Sequence, residues 1–147
     1  MDRKAKAQWK GDLRSGGGIL SSASGVLSNT PYSFKDRFEQ GTGTNPEELL
    51  AAAHAGCFSM ALSAELQKEG LKADSIDTTC TITLEKEGSG FAIKKSHLEL
   101  RAKIPGATQD AFERATQSAK ENCPVSKLYD TDITLDAKLE ASAAKSA

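Results

Sequence analysis

The sequence predicts an α+β fold, and three observations carry the prediction. Residues 5–13 and 77–85 alternate apolar with polar side chains at a period of two, as a strand with one wet face does. Residues 49–62 are apolar nearly all the way round, as only a helix enclosed by a domain or an interface can be. Residues 108–122 carry Ala111, Phe112, Ala115 and Ala119 at helical spacing with polar residues between them. Strands grouped before and after single helices give antiparallel sheets, a long buried central helix and a second covering helix.

In chain order, Ala5, Ala7, Trp9 and Leu13 share one side of a half-buried first strand. Residues 15–18 form a glycine hairpin turn into a second strand over 19–23, and Gly25 breaks the chain again. Asn29, Thr30 and Pro31 read as a turn. Tyr32, Phe34, Arg37 and Phe38 then lead into Gly41-Thr-Gly43-Thr44, which the glycines make a mobile loop. Asn45 is placed to cap the long helix, Pro46 suits its first position, Glu47 and Glu48 lie at its positive end, and Gly70 supplies a left-handed stop.

Thr78, Cys80, Ile82 and Leu84 face one way in the next strand, and residues 87–90 turn it back on an antiparallel partner over 91–104. The apolar phase slips between Ile93 and Leu98, so a bulge is expected near Lys95. Pro105-Gly106 ends that strand, the amphipathic helix stops where Cys123 meets Pro124, and Ile133, Leu135, Ala137 and Leu139 alternate in a last strand. The 147 residues make one expected domain, 1–147, with a frayed tail from about 141.

Nineteen basic and twenty acidic residues leave a net charge of −1, with no basic block to track phosphates, so nucleic acid is not an expected partner. The first ten residues lack the apolar core of a signal peptide, no apolar run approaches the ~20 residues of a membrane span, and a cytoplasmic protein is expected. Three cysteines without a close pair are not a disulfide scaffold, so any disulfide belongs to a cycle.

Cys80 shares its face with Ile82 and Leu84 and reads as a core residue. Cys123 precedes Pro124 at the junction of two helices, where free backbone N–H groups favour a thiolate. Cys57 sits about three turns inside its helix, beyond the reach of the dipole, so it is a nucleophile only if a fixed cation stands nearby. Arg37 is the local candidate, with Glu47 as its carboxylate partner. Arg37 reads equally as a surface cation lying over aromatic rings. His54, three residues before Cys57, reads as a packed or interface histidine; no metal is expected, because the chain has no further clustered ligands. His97 is expected to be exposed.

Arg37-Phe-Glu, Gly43-Thr-Asn-Pro-Glu-Glu-Leu, Ala52-Ala-His-Ala-Gly-Cys57-Phe-Ser-Met-Ala-Leu-Ser63, Ser75-Ile-Asp-Thr-Thr79 and Asn122-Cys-Pro-Val-Ser126, in this order, resemble the osmotically inducible protein C (OsmC) family over nearly the whole chain. The related organic hydroperoxide resistance proteins share the Asn-Pro-Glu and cysteine motifs, but His54 and the Phe-Ser-Met-Ala-Leu-Ser run are closer to the OsmC branch. The resemblance implies a peroxidase of organic hydroperoxides acting in oxidative or osmotic stress, an intertwined homodimer with composite sites at its interface, and no cofactor. By motif match it makes Cys57 the peroxidatic cysteine, Cys123 the resolving one, and Arg37 and Glu47 the activating pair. It suggests a dithiol reductant of the lipoyl type. The competing expectation is a non-catalytic module that binds a hydrophobic ligand and keeps its thiols inert.

Ten residues separate Glu47 from Cys57, about 15 Å of rise on one straight helix. Both therefore cannot share one guanidinium unless the helix breaks around residues 51–53 or two chains build the site.

Overall fold

A computed structural model describes residues 1–39 and 41–141, which form two compact units divided between Leu49 and Leu50. The tail expected to fray lies, beyond residue 141, outside the described residues.

The first unit carries an antiparallel sheet in the order β1(Ala5–Lys10), β2(Gly17–Ser22), β3(Thr30–Tyr32). β1 ends three residues short of Leu13, because Asp12 folds back to accept from the Ser15 backbone N–H at 2.6 Å and its hydroxyl at 2.7 Å. β1 is also less buried than expected. Only Trp9, edge-on to Tyr32 at 5.4 Å, is withdrawn from solvent, and the buried core cluster lies wholly in the second unit. Thr30 and Pro31 are strand rather than turn: Pro31 lacks a ladder donor but its carbonyl accepts from Thr44 at 3.0 Å.

A short helix that the sequence did not announce, α1(Phe34–Phe38), follows, with Ser33 Oγ accepting from the Asp36 N–H. Asp36 then accepts from the Gly43 N–H at 3.0 Å, and its carbonyl accepts from Asn45 Nδ2 at 2.9 Å. The expected mobile loop is thus pinned at its end. A Cβ on Gly43 would lie 2.3 Å from the Pro31 carbonyl oxygen, so glycine serves close approach there.

α2(Pro46–Lys68) runs unbroken across the division. Asn45 Oδ1 accepts from the Glu48 N–H at 2.8 Å, as capping requires. At the other end Gly70 takes φ +72°, and the Leu71 and Gly70 N–H groups return to the Leu66 and Gln67 carbonyls at 2.9 and 3.1 Å, a Schellman closure. The 23-residue helix has a mean hydropathy of 1.4 over its best 18-residue window, long and apolar enough to cross a membrane by length and composition alone. This corrects the expectation that no run comes close: leucines, alanines, Cys57, Phe58 and Met60 raise the mean although polar residues interrupt them. A helix packed on a sheet passes the same test.

In the second unit His54, Phe58, Leu62 and Leu66, spaced by four, form the wholly buried edge of α2. They pack on a sheet in the order β4(Ser75–Glu87), β5(Gly90–Lys103), β6(Asp132–Glu140), with Leu98, Leu100 and Ala102 of β5 facing them. α3(Gln109–Asn122), capped by Thr108, covers the same core with Phe112, Ala115 and Ala119. Each fully buried Phe or Leu contributes roughly 1.5–3 kcal/mol.

The bulge falls where the phase slip put it, with the register shifting opposite residues 93–95. One pairing departs from the antiparallel expectation: β6 runs parallel to β5, because α3 carries the chain back before it re-enters the sheet. The opposite face of α2 is not buried within the chain. Ala52, Ala53, Gly56 and Met60 are exposed, Met60 at 78%, because no element of the second unit lies over them.

Candidate active site

Two groups of chemically capable side chains stand out, one in each unit. In the second, α3 ends at Cys123, whose φ −63° and ψ 139° take the chain out of the helix before Pro124. Cys123 then caps α4(Pro124–Leu128), its Sγ accepting from the Ser126 N–H at 3.3 Å. Cys57, partly exposed on α2, packs against the buried cluster that contains Cys123. Both are free thiols, and the first turn of α4 directs the Ser126 N–H at the Cys123 sulfur.

Burial pushes the Cys57 thiol up from its ordinary value; the Val125 N–H pulls it back, and the Cys123 thiol adds to the rise. In these surroundings Cys57 is protonated at neutral pH, so a cation must come from elsewhere for it to react as a thiolate.

The first unit holds a paired cation. Arg37 of α1 donates through Nε to Glu47 Oε1 at 2.9 Å and through Nη2 to Oε2 at 3.1 Å. Glu47 is buried in the first turn of α2, where the helix dipole favours a carboxylate. The guanidinium also lies over the Phe38 ring, 5.6 Å from its centre. Trp9, Leu13, Tyr32, Ser33, Phe34, Phe38 and Pro46 line, with Arg37, a mostly apolar cavity of about 320 Å³.

The four residues singled out from sequence are therefore brought together as two pairs, Cys57 with Cys123 and Arg37 with Glu47. The unbroken α2 removes the broken-helix alternative: ten residues of regular helix, about 15 Å of rise, separate Glu47 from Cys57.

Beside the thiols lies a polar network that sequence reasoning missed. His54, wholly buried, places Nδ1 2.6 Å from Ser96 Oγ and Nε2 2.8 Å from Ser126 Oγ. Ser126 Oγ is 3.0 Å from Cys123 Sγ, and Cys80 Sγ is 3.2 Å from Ser96 Oγ. Tyr129 meets the His54 ring edge-on at 5.0 Å and donates to the Leu50 carbonyl at 2.8 Å. The signal was present in His54 and Ser126, both inside recognised motifs, but nothing in their spacing of 72 residues says that they touch.

With both ring nitrogens engaged, His54 is a packed histidine as expected, and Cys80 lies against the core as expected. His97 departs from expectation: it is half-buried, with Nδ1 bonded to Thr134 Oγ1 directly across the β5–β6 ladder. Among the described residues no three His, Cys, Asp or Glu side chains cluster as a metal site.

A family model described as OsmC-like protein matches residues 39–138. The chain belongs to the OsmC-like family. It is 48% identical over 141 residues to Peroxiredoxin OsmC of Escherichia coli (strain K12), covering 96% of this chain and 99% of that protein, which supports a peroxidase-type activity. Among solved structures, the organic hydroperoxide resistance protein OhrB of Bacillus subtilis is similar with a TM-score of 0.67 and 27% identity, over 92% of this chain and 98% of that one. An OsmC-like protein of Vibrio cholerae shares the fold with a TM-score of 0.76 at 17% identity, over 94% and 99%. Both thiols and Glu47 fall within the matched span, whereas Arg37 lies just before it.

Proposed function

We propose that this OsmC-like protein is a cytoplasmic thiol peroxidase that reduces organic hydroperoxides to alcohols in oxidative and osmotic stress defence. The observation that carries the reading is that Cys57 and Cys123, two free thiols from distant parts of the chain, pack in one cluster. The Cys57 thiolate attacks one peroxide oxygen, the O–O bond breaks, and the departing alkoxide takes a proton to become the alcohol. Cys57 is left as a sulfenic acid. Cys123 attacks that sulfur, water leaves, and a Cys57–Cys123 disulfide remains for a dithiol reductant of the lipoyl type to reopen.

Arg37 holds the thiolate and donates to the charge developing on the peroxide, and Glu47 keeps the guanidinium aimed. Lowering a thiol pKa by two units requires about 2.7 kcal/mol, within the reach of one partly buried guanidinium. Because α2 is continuous, we place the Arg37 that serves each Cys57 on a second copy of the chain, in a homodimer with composite sites. Two features support this. The uncovered face of α2 presents Ala52, Ala53, Gly56 and Met60, and a Cβ at Gly56 would enter open space in its own chain, although glycine inside a helix costs roughly 1 kcal/mol. A partner helix approaching closely there accounts for both.

The test is mass spectrometry of protein treated with one equivalent of cumene hydroperoxide. The expected product is a peptide bridged between Cys57 and Cys123. Unreacted peroxide beside two free thiols would overturn the reading and leave a module that binds hydrophobic ligands without catalysis.

A further inference from the structure

The hydrogen-bonded row beside the thiols raises a question that the peroxidase reading leaves open, namely where the proton of Cys123 goes. Cys123 is wholly buried, so a base in bulk solvent reaches its thiol only when the site opens. Its side-chain neighbours are the Cys57 thiol and Ser126 Oγ at 3.0 Å, and Ser126 Oγ is in turn 2.8 Å from His54 Nε2. His54, Ser96 and Cys123 are each 0% exposed and Ser126 6%, so the row is sealed from end to end. A histidine–serine row of this kind is costly to bury unless every member is paired, and here every member is.

We propose that His54 is the internal proton acceptor of the resolving step, taking the Cys123 proton through Ser126 Oγ while the Cys123 sulfur attacks the Cys57 sulfenic acid. The inference rests on the peroxidase reading above and adds to it a positioning role for two residues. The S–H proton of Cys123 passes to Ser126 Oγ as the Ser126 proton passes to Nε2. The S–S bond forms as the S–OH bond breaks, so the sulfenic sulfur is reduced and the thiol sulfur oxidised. The hydroxide departs from Cys57 on the side opposite the attacking sulfur and takes a proton from solvent to leave as water, and the imidazolium returns its proton by the row when a dithiol reopens the disulfide and releases Cys123.

The required tautomer carries its proton on Nδ1, and Ser96 Oγ at 2.6 Å is there to accept it. Burial lowers the His54 pKa, so the ring rests neutral and free to accept. The groups that face it are Cys80 of β4, Ser96 of β5, Ser126 of α4 and Tyr129 just after α4. Burial raises the pKa of both Cys80 and Tyr129, so neither supplies a charge at neutral pH.

The experiment is double-mixing stopped flow. Cys57 is first oxidised with one equivalent of cumene hydroperoxide, and the decay of its sulfenic acid to the disulfide is then followed from pH 5.5 to 8.5. In the wild type the decay rate is expected to be nearly flat above pH 6.5. In His54→Gln, and separately in Ser126→Ala should the first variant fold poorly, it is expected to fall at least tenfold at pH 7 and to climb about tenfold per pH unit, because hydroxide must then deprotonate Cys123. Decay at the wild-type rate overturns the proposal. So does a loss equal at every pH, since that is what mere displacement of α4 produces. A wild type that forms no sulfenic acid overturns the peroxidase reading itself, a result visible before any variant is made.

Discussion

Arg37 and Glu47 face each other through two parallel hydrogen bonds, 2.9 Å from Nε and 3.1 Å from Nη2, one partner on α1 and the other in the first turn of α2. Two bonds fix both the position and the plane of the guanidinium, which a single contact or a lysine does not. The Arg37 side chain is 40% exposed, so the pair adds little to stability, about 0.2–1 kcal/mol after solvent screening. Its value lies in orientation. Glu47→Gln keeps the shape and removes the charge. The expected result is a loss of roughly tenfold to a hundredfold in kcat/KM for cumene hydroperoxide, with the urea midpoint almost unchanged. An equal loss of stability and activity would show instead that the pair merely holds α1 in place.

The thiols are expected to report the same cation through pH. Burial raises the Cys57 pKa, so without a guanidinium beside it Cys57 alkylates only above the ordinary thiol value of about 8.5. Wild-type protein is expected to react with iodoacetamide at Cys57 near neutral pH. Arg37→Ala should shift that titration to more alkaline pH while leaving the fold intact by circular dichroism. Superimposable titrations of the two proteins would remove Arg37 from the chemistry.

Much of this was legible in the sequence because the relevant physics is local. Asn45, Pro46 and Gly70 mark the ends of α2 through their own backbone preferences, and the phase slip after Ile93 marks the bulge. The Arg37–Glu47 pair spans only ten residues, so its pairing too was within reach. What stayed hidden depends on long-range placement. α1 escaped notice because its five residues are too few to show a period, and its cap, Ser33, reads like any loop serine. The parallel direction of β6 is set by the path of α3, not by the alternation of Ile133, Leu135 and Ala137. The row from Ser96 through His54 to Ser126 joins three elements whose separations carry no pattern.

His54 also makes a prediction about acid stability. Its pKa is lowered on folding by burial, so below the ordinary value near 6.5 the unfolded chain binds a proton that the folded one refuses. The sign follows: stability from this group is complete above pH 6.5 and is lost as pH falls toward the folded pKa, at a rate of at most about 1.4 kcal/mol per pH unit. Urea unfolding at pH 7.5 and 5.5 checks it. The wild type is expected to lose more stability between the two than His54→Gln does, and identical losses would mean that His54 is not buried neutral.

The core offers a calibration independent of function. Phe112 is 1% exposed and joins α3 to the face formed by Leu98 and Leu100. Phe112→Ala should cost about 3–5 kcal/mol through lost transfer energy and a residual cavity. Gly70→Ala should cost about 1 kcal/mol, because φ +72° is strained for any residue with a Cβ although no atom lies within 4 Å of it. Together the two variants separate packing from backbone effects in the same unfolding experiment.

Whether Arg37 serves the thiol of its own chain or of a partner is decided by mixing two inactive proteins. Cys57→Ser keeps its guanidinium and lacks the nucleophile; Arg37→Ala keeps the nucleophile and lacks the guanidinium. If the site is built within one chain, every site in every mixture lacks one component, and mixing restores nothing. If it is built across a homodimer, each mixed dimer contains one complete site, made of Cys57 from one subunit and Arg37 from the other. Random exchange of equal amounts makes half the dimers mixed, so about a quarter of the wild-type activity should return. We expect that recovery, because 15 Å of unbroken helix lie between Glu47 and Cys57 and the outer face of α2 is apolar around Gly56 and Met60. Met60→Asp, which charges that face at its most exposed large side chain, should weaken self-association in sedimentation velocity and abolish the recovery with it.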